Sequence, residues 1–148
     1  MAMERTESWA DHAQTVLAQN GHSRGGARRA VLDLLDSQTC ALSAIEIEDA
    51  LRAGDRRVAR ASVYRILDEL ERLGLVQKVE IGQSMARYEP LRRGHGHHHH
   101  LVCDSCGIVM PFTDGELENA ISKLSLRVPI EVSEHEIILH GACQACKD

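Results

Sequence analysis

The chain has 148 residues, enough for one large domain or two small ones. Its residues are 43% hydrophobic but include one Trp, one Phe and two Tyr, so any core must be mostly aliphatic. No apolar run approaches the roughly 18 residues of a membrane span, and the polar, acidic start MAMERTESWADH reads as no secretory signal. The net charge of −5 argues against nucleic-acid binding over the whole surface. The arginines nevertheless cluster, Arg52, Arg56, Arg57, Arg60 and Arg65 in one stretch and Arg24, Arg28 and Arg29 in another, which leaves a local basic face for DNA.

Taken in chain order, the first half predicts four helices. Asp11 to Asn20 is a short one ending at Gly21, and Ala27 to Ser37 carries Val31, Leu34 and Leu35 on one face. Ser43 with Glu46 three residues on is a capping-box signature, and the helix it opens runs through Ile47, Ala50 and Leu51 to Gly54. From Arg60 to Leu73, the residues Val63, Ile66, Leu67, Leu70 and Leu73 recur at helical spacing, with Gly74 as the stop. Two β-like runs follow, Leu75 to Ile81 and Met85 to Glu89, joined by the turn Gly82-Gln83-Ser84. Helices followed by a hairpin describe a winged helix-turn-helix domain over residues 1–89. Residues 90–96, PLRRGHG, read as a hinge or linker.

Residues 97–148 read as β-β-α-β. Strands are expected over His98–Val102 and Ile108–Phe112. A helix capped by Thr113 with Glu116 and striped by Leu117, Ala120, Ile121 and Leu124 follows, and a last strand runs from Glu134 to Gly141. The fold class is α+β. The second part is too short for an ample core of its own, so zinc or a second subunit is expected to supply the missing stability.

The chemistry concentrates there. Cys103–Cys106 and Cys143–Cys146 are two CxxC pairs, and four thiolates close a tetrahedral shell around one zinc ion. A redox motif would be a single pair beside a βαβ unit. The run His97 to His100 is internal, unlike an expression tag, and alternation along a strand sends His98 and His100 to one face and His97 and His99 to the other. One run can thus serve two metal sites. His135, Glu136 and His140 do not make HExxH, because the second histidine is one residue too far and the segment reads as a strand. No HxE partner for a zinc deaminase, no nucleophile elbow, no P-loop and no dinucleotide fingerprint occurs. The helix from Arg60 presents Arg60, Ser62 and Tyr64 on its N-terminal turns, away from its apolar face, as a recognition helix does.

Four segments together resemble the ferric uptake regulator family: ARASVYRILDELERLGLV (59–76), RYE (87–89), HHHHLVCDSCG (97–107) and HEIILHGACQAC (135–146). The resemblance runs from about Arg24 to the C-terminus. It implies a DNA-binding winged helix followed by a dimerisation domain over residues 97–148, and a structural zinc on Cys103, Cys106, Cys143 and Cys146. It implies a second site on His97, His99, Glu118 and His135, and a regulatory site at the hinge on Glu89, His98 and His100. Tyr64 and Arg65 match the DNA-contacting pair, and Arg28 matches an arginine before the second helix. The chain departs from the family at Ala41, where a hinge ligand often stands. Cys40 beside it, or Gln77, is the candidate to complete that set. An all-N/O site would suit Fe(II) or Mn(II), and a thiolate would shift preference toward zinc.

The expected function is a cytoplasmic bacterial repressor that binds a palindromic operator as a homodimer under control of a second divalent metal, Fe(II), Zn(II) or Mn(II). The genes would be those of iron or zinc uptake, with a peroxide-sensing regulator of the same family as the alternative. No enzyme activity, membrane partner or small-molecule substrate is expected. The rivals from other classes are a zinc enzyme and a metal storage or delivery protein, and the arginine-flanked fourth helix speaks against the latter.

Overall fold

The computed structural model describes residues 7–22, 25–38, 40–81, 85–92 and 97–147. It divides into two compact units, Met1–His95 and Gly96–Asp148. The first holds α1 (Trp9–Gln19), α2 (Gly26–Ser37), β1 (Leu42–Ser43), α3 (Ala44–Ala53), α4 (Arg60–Arg72), β2 (Val76–Ile81) and β3 (Met85–Pro90). The second holds β4 (His99–Cys103), β5 (Val109–Phe112), α5 (Gly115–Ser125) and β6 (Ile138–Gly141). This is the α+β class, with a winged helix-turn-helix first.

Local chemistry explains the helix ends. Ser43 caps α3 by accepting from the Glu46 N–H, while the Glu46 carboxylate pairs with Arg87 instead of completing the box. At the end of α4, Gly74 takes φ 70°, which costs a glycine little. The Gly74 N–H then donates to the Glu71 carbonyl and the Leu75 N–H to the Leu70 carbonyl, the paired bonds of a Schellman stop. One face of each helix meets in an aliphatic core in which Leu17, Leu32, Leu35, Ile47, Leu67 and Leu70 are fully buried. Trp9 belongs to this core, its indole N–H donating to the Leu75 carbonyl at 3.1 Å. The helix therefore begins two residues before the predicted Asp11, capped by Ser8.

The wing is the β2–β3 hairpin, paired from Val76↔Pro90 to Ile81↔Met85. Its expected turn, Gly82-Gln83-Ser84, lies outside the described residues, as do Arg24 and positions 93–96 of the expected linker. The two-residue β1 extends the sheet in the order β1-β3-β2, pairing Leu42 with Tyr88 and Ser43 with Arg87. A strand so short leaves no periodicity to read.

The second unit is a three-stranded sheet, order β5-β4-β6, with β6 parallel to β4. β4 runs one residue later than the expected His98–Val102 and β5 starts at Val109 rather than Ile108, and two further expectations shift. The cap of α5 is Asp114, whose carboxylate accepts from the Leu117 N–H at 2.9 Å, and not Thr113. The last strand spans only Ile138–Gly141, because β4 begins at His99 and its pairing with β6 begins at His100↔Ile138. Glu134–Ile137 therefore precede the strand.

Candidate metal centres and nucleic-acid interface

The turn after β4 and the tail after β6 bring Cys103, Cys106, Cys143 and Cys146 together, with all four sulfurs within 4.8 Å of one another. Parallel pairing of β4 with β6 carries both CxxC pairs off the same end of the sheet. Ligands at the ~2.3 Å Zn–S distance on a tetrahedron stand about 3.8 Å apart, and Cys106 Sγ lies 3.7 Å from Cys143 Sγ. The N–H groups of Cys143 and Cys106 both point at Cys103 Sγ, at 3.3 and 3.5 Å. The Cys143 N–H, followed by that of Cys106, draws the Cys103 thiol down to about 6, while the neighbouring Cys143, Cys103 and Cys106 sulfurs push Cys146 up to about 12. Four sulfurs this close cannot all ionise unless a cation sits among them. The donor set therefore fits Zn(II). Beside it, His140 Nδ1 lies 2.8 Å from an Asp104 carboxylate oxygen, a contact spanning 36 residues that no local pattern announces.

The same unit gathers His97, His99, Glu118 and His135. His99 opens β4, His97 lies two residues before it on the same side, α5 brings Glu118 over them, and His135 comes from the segment before β6. Nε2 of His99 lies 2.5 Å from Glu118 Oε1, and Nε2 of His135 lies 2.8 Å from Glu118 Oε2. The Nε2 atoms of His97 and His135 are 3.0 Å apart. The Ile137 N–H donates to Nδ1 of His99 at 3.2 Å and so turns Nε2 of that ring toward Glu118. The bond from His99, reinforced by His135, holds the Glu118 carboxyl below its ordinary range, despite some desolvation. Three imidazoles and one carboxylate with their donor atoms converging make a second set suited to a divalent ion.

His98 and His100 turn to the other face, their rings 4.9 Å apart edge to face, with His100 fully buried. In the first unit, Glu89 closes the wing with 5% exposure and accepts a 2.7 Å bond from the Gln77 carboxamide across the β2–β3 pair. Cys40, half-buried before β1, has its sulfur within 4.8 Å of a Glu89 carboxylate oxygen.

The DNA candidates lie on α4. Val63, Ile66, Leu67 and Leu70 face the core, which leaves Arg60, Tyr64 and Arg65 exposed and Ser62 half-buried. Arg65 lies 3.4 Å from the Ser62 hydroxyl. Arg60 is steadied by Glu48 of α3 at 2.6 Å, and that bond raises its already high pKa. Arg28 is held differently. Its Nε and Nη2 donate to the two oxygens of Glu69 on α4, both at 3.1 Å, in a bidentate clamp between helices. Glu48 and Glu69, the partners that orient these arginines, are not apparent from sequence, because the contacts span 12 and 41 residues.

A profile of the ferric uptake regulator family matches residues 19–140. The ferric uptake regulation protein of Bacillus subtilis (strain 168) is 31% identical over 114 residues, 76% of this chain and 76% of that protein. The solved Helicobacter pylori ferric uptake regulator, described as revealing three functional metal binding sites, superposes with a TM-score of 0.82 at 28% identity, covering 99% of this chain and 96% of that one. The Vibrio cholerae ferric uptake regulator gives a TM-score of 0.77 at 27% identity, covering 90% of this chain and 100% of the other.

Proposed function

The chain belongs to the ferric uptake regulator family, and from that premise we propose that it is a homodimeric, metal-dependent repressor of metal-uptake genes. One observation carries the reading: an exposed Arg60–Tyr64–Arg65 helix face occurs in the same chain as two converged sets of metal ligands. Storage or delivery of metal gives no reason for the first, and each set already supplies four protein ligands, whereas a catalytic zinc keeps an open position. Among the described residues no helix is long and apolar enough to cross a membrane, and a repressor works in the cytoplasm with its DNA.

In this reading Cys103, Cys106, Cys143 and Cys146 hold a structural zinc. His97, His99, Glu118 and His135 hold a metal that stiffens the second unit. Glu89, His98 and His100 hold the regulatory metal. Glu89 ends the wing and the histidines open the second unit, so a metal that takes all three binds one arrangement of the units better than any other. That difference in affinity is the whole of the coupling. The three sites described for the H. pylori regulator agree with this count.

A second copy of the chain covers the second unit. No residue of α5 is buried, and Leu126 and Ile130 are 87% and 73% exposed, more apolar surface than a monomer leaves bare. Two recognition helices then meet half-sites of a palindromic operator about one helical turn, 34–36 Å, apart. Arg65 serves phosphate and Tyr64 a base edge or thymine methyl, with Ser62 and Arg60 alongside.

Metal titrations of operator binding on two double variants test the division of labour. His98→Ala with His100→Ala should abolish the metal response while leaving a zinc-bound dimer. His97→Ala with His99→Ala should lower stability or shift the activating concentration and keep the response. Equal loss in both, or a full response in the first, contradicts the assignment.

A further inference from the structure

We propose that Cys40 contributes a thiolate to the regulatory site, and that this thiolate makes the site select zinc over Fe(II) and Mn(II). The inference rests on the reading of Glu89, His98 and His100 given above and adds the ligand that decides which metal is sensed.

The supporting geometry lies within the first unit. β1 and β3 pair Leu42 with Tyr88 and Ser43 with Arg87. Continuing that register outward sets Ala41 beside Glu89 and Cys40 beside Pro90. Ala41 has no donor atom to offer, whereas the Cys40 sulfur lies within 4.8 Å of a Glu89 carboxylate oxygen. A sulfur and an oxygen sharing one tetrahedral zinc stand about 3.6 Å apart, given Zn–S near 2.3 Å and Zn–O near 2.1 Å. A small side-chain adjustment therefore lets the two residues share a metal.

Gln77 takes a different part. Its carboxamide donates to Glu89 Oε1 at 2.7 Å from the paired position on β2. It is thus a positioning residue that fixes the carboxylate, as outer-shell partners of metal ligands do.

The donor set then becomes two imidazole nitrogens, one carboxylate oxygen and one thiolate sulfur. Iron(II) and manganese(II) favour nitrogen and oxygen, and zinc accepts sulfur readily in a four-coordinate shell. On binding, the Cys40 thiol gives its proton to solvent and its sulfur lone pair to the metal.

Cobalt(II) spectroscopy reads the sulfur directly. The full-length dimer is first loaded with one zinc per chain to fill the four-cysteine site, then titrated with Co(II). The His97, His99, Glu118 and His135 set has only nitrogen and oxygen donors, so it gives no sulfur-to-cobalt charge-transfer band. The wild type should develop such a near-ultraviolet band. Cys40→Ser and Cys40→Ala should lack it while still binding Co(II).

Operator binding supplies the second readout. Loss of an outer-shell partner alone costs about 10–100-fold in metal affinity, so loss of this ligand should raise the zinc concentration needed by at least that factor. The manganese requirement should stay nearly unchanged. An undiminished charge-transfer band in both Cys40 variants, or an unchanged zinc-to-manganese preference, overturns the inference and leaves the regulatory site on Glu89, His98 and His100 standing. If His98→Ala with His100→Ala keeps its metal response, the underlying reading falls and the inference falls with it.

Discussion

In the first unit each helix turns at least three buried side chains into one aliphatic cluster, whereas α5 of the second unit buries none. Among the described residues of the second unit those buried are Val102, Cys103, His99 and His100, and three of those four carry ligand atoms. The first unit is organised around an apolar cluster, with polar ties such as the Arg28–Glu69 clamp at its margin. The second is too short to close a core of that kind, and its converged histidines, carboxylate and cysteines stand where a core would be. The lesson is that one chain can divide its stability between two sources, so that metal acts on folding in one unit and leaves the other intact. It also explains why the unit that reads DNA contains no complete metal cluster among its described residues.

The sharpest way to break this contrast is to remove the four-cysteine site. Structural zinc contributes about 10–16 kcal/mol of apparent binding energy in small zinc peptides. Cys106→Ser or Cys143→Ser should therefore unfold the second unit, abolish the dimer and abolish operator binding, while the helical signal of the first unit persists. Sedimentation and circular dichroism would report this, and a stable dimer with normal melting would refute it.

The converse change is Leu67→Ala, at a fully buried position of α4. A large-to-small substitution there should cost about 2–5 kcal/mol in the first unit alone. Zinc content and dimerisation should stay normal by metal analysis and sedimentation. Coupled loss of zinc would mean that the two units do not fold separately.

A smaller effect tests the DNA face. Arg65→Ala should weaken binding to all sequences alike and lower the salt slope by about one unit. Tyr64→Ala should instead reduce specificity for the operator. An unchanged affinity and salt slope for Arg65→Ala would remove α4 from the interface.

The smallest expected effect concerns the clamp inside the first unit. The bidentate bond from Arg28, opposed by burial and aided by its charge, lowers the Glu69 pKa from its ordinary 4.5. A carboxylate whose folded pKa is depressed adds stability that is complete above its unfolded pKa and is lost as pH falls through the folded one. Wild type should thus be more stable than Glu69→Gln at pH 7, and the gap should shrink as pH drops below 4.5. Denaturant melts of both proteins across that range would measure the gap; a gap independent of pH would show that Arg28 draws no charge stabilisation from Glu69.

What short-range physics decides is legible along the chain. Helix α4 is legible to within a residue, because its apolar period and Gly74 both act locally. The four cysteines and the two-faced histidine run were legible for the same reason, since CxxC spacing and strand alternation are local rules. The cap of α5 falls at Asp114, one residue after the expected Thr113, because both are good cap formers and only geometry chooses between them. The last strand is shorter than the expected Glu134–Gly141 because its parallel partner β4 begins only at His99, and nothing local to Glu134–Ile137 marks where a partner starts. Trp9 against Leu75, Arg28 against Glu69 and His140 against Asp104 are bonds across 66, 41 and 36 residues, and no window along the chain contains both partners.

The central claim is that a metal beyond the four-cysteine zinc controls operator binding. Allosteric coupling typically amounts to about 1–3 kcal/mol, or 5–150-fold in affinity. The direct measurement is operator affinity by fluorescence anisotropy at fixed salt, on protein stripped by mild chelation to one zinc per chain and then resupplied with metal. The stripped protein should remain a dimer and bind about 5–150-fold more weakly, with full affinity restored by the added metal. Equal affinity in the two states, at one zinc per chain, would contradict the account.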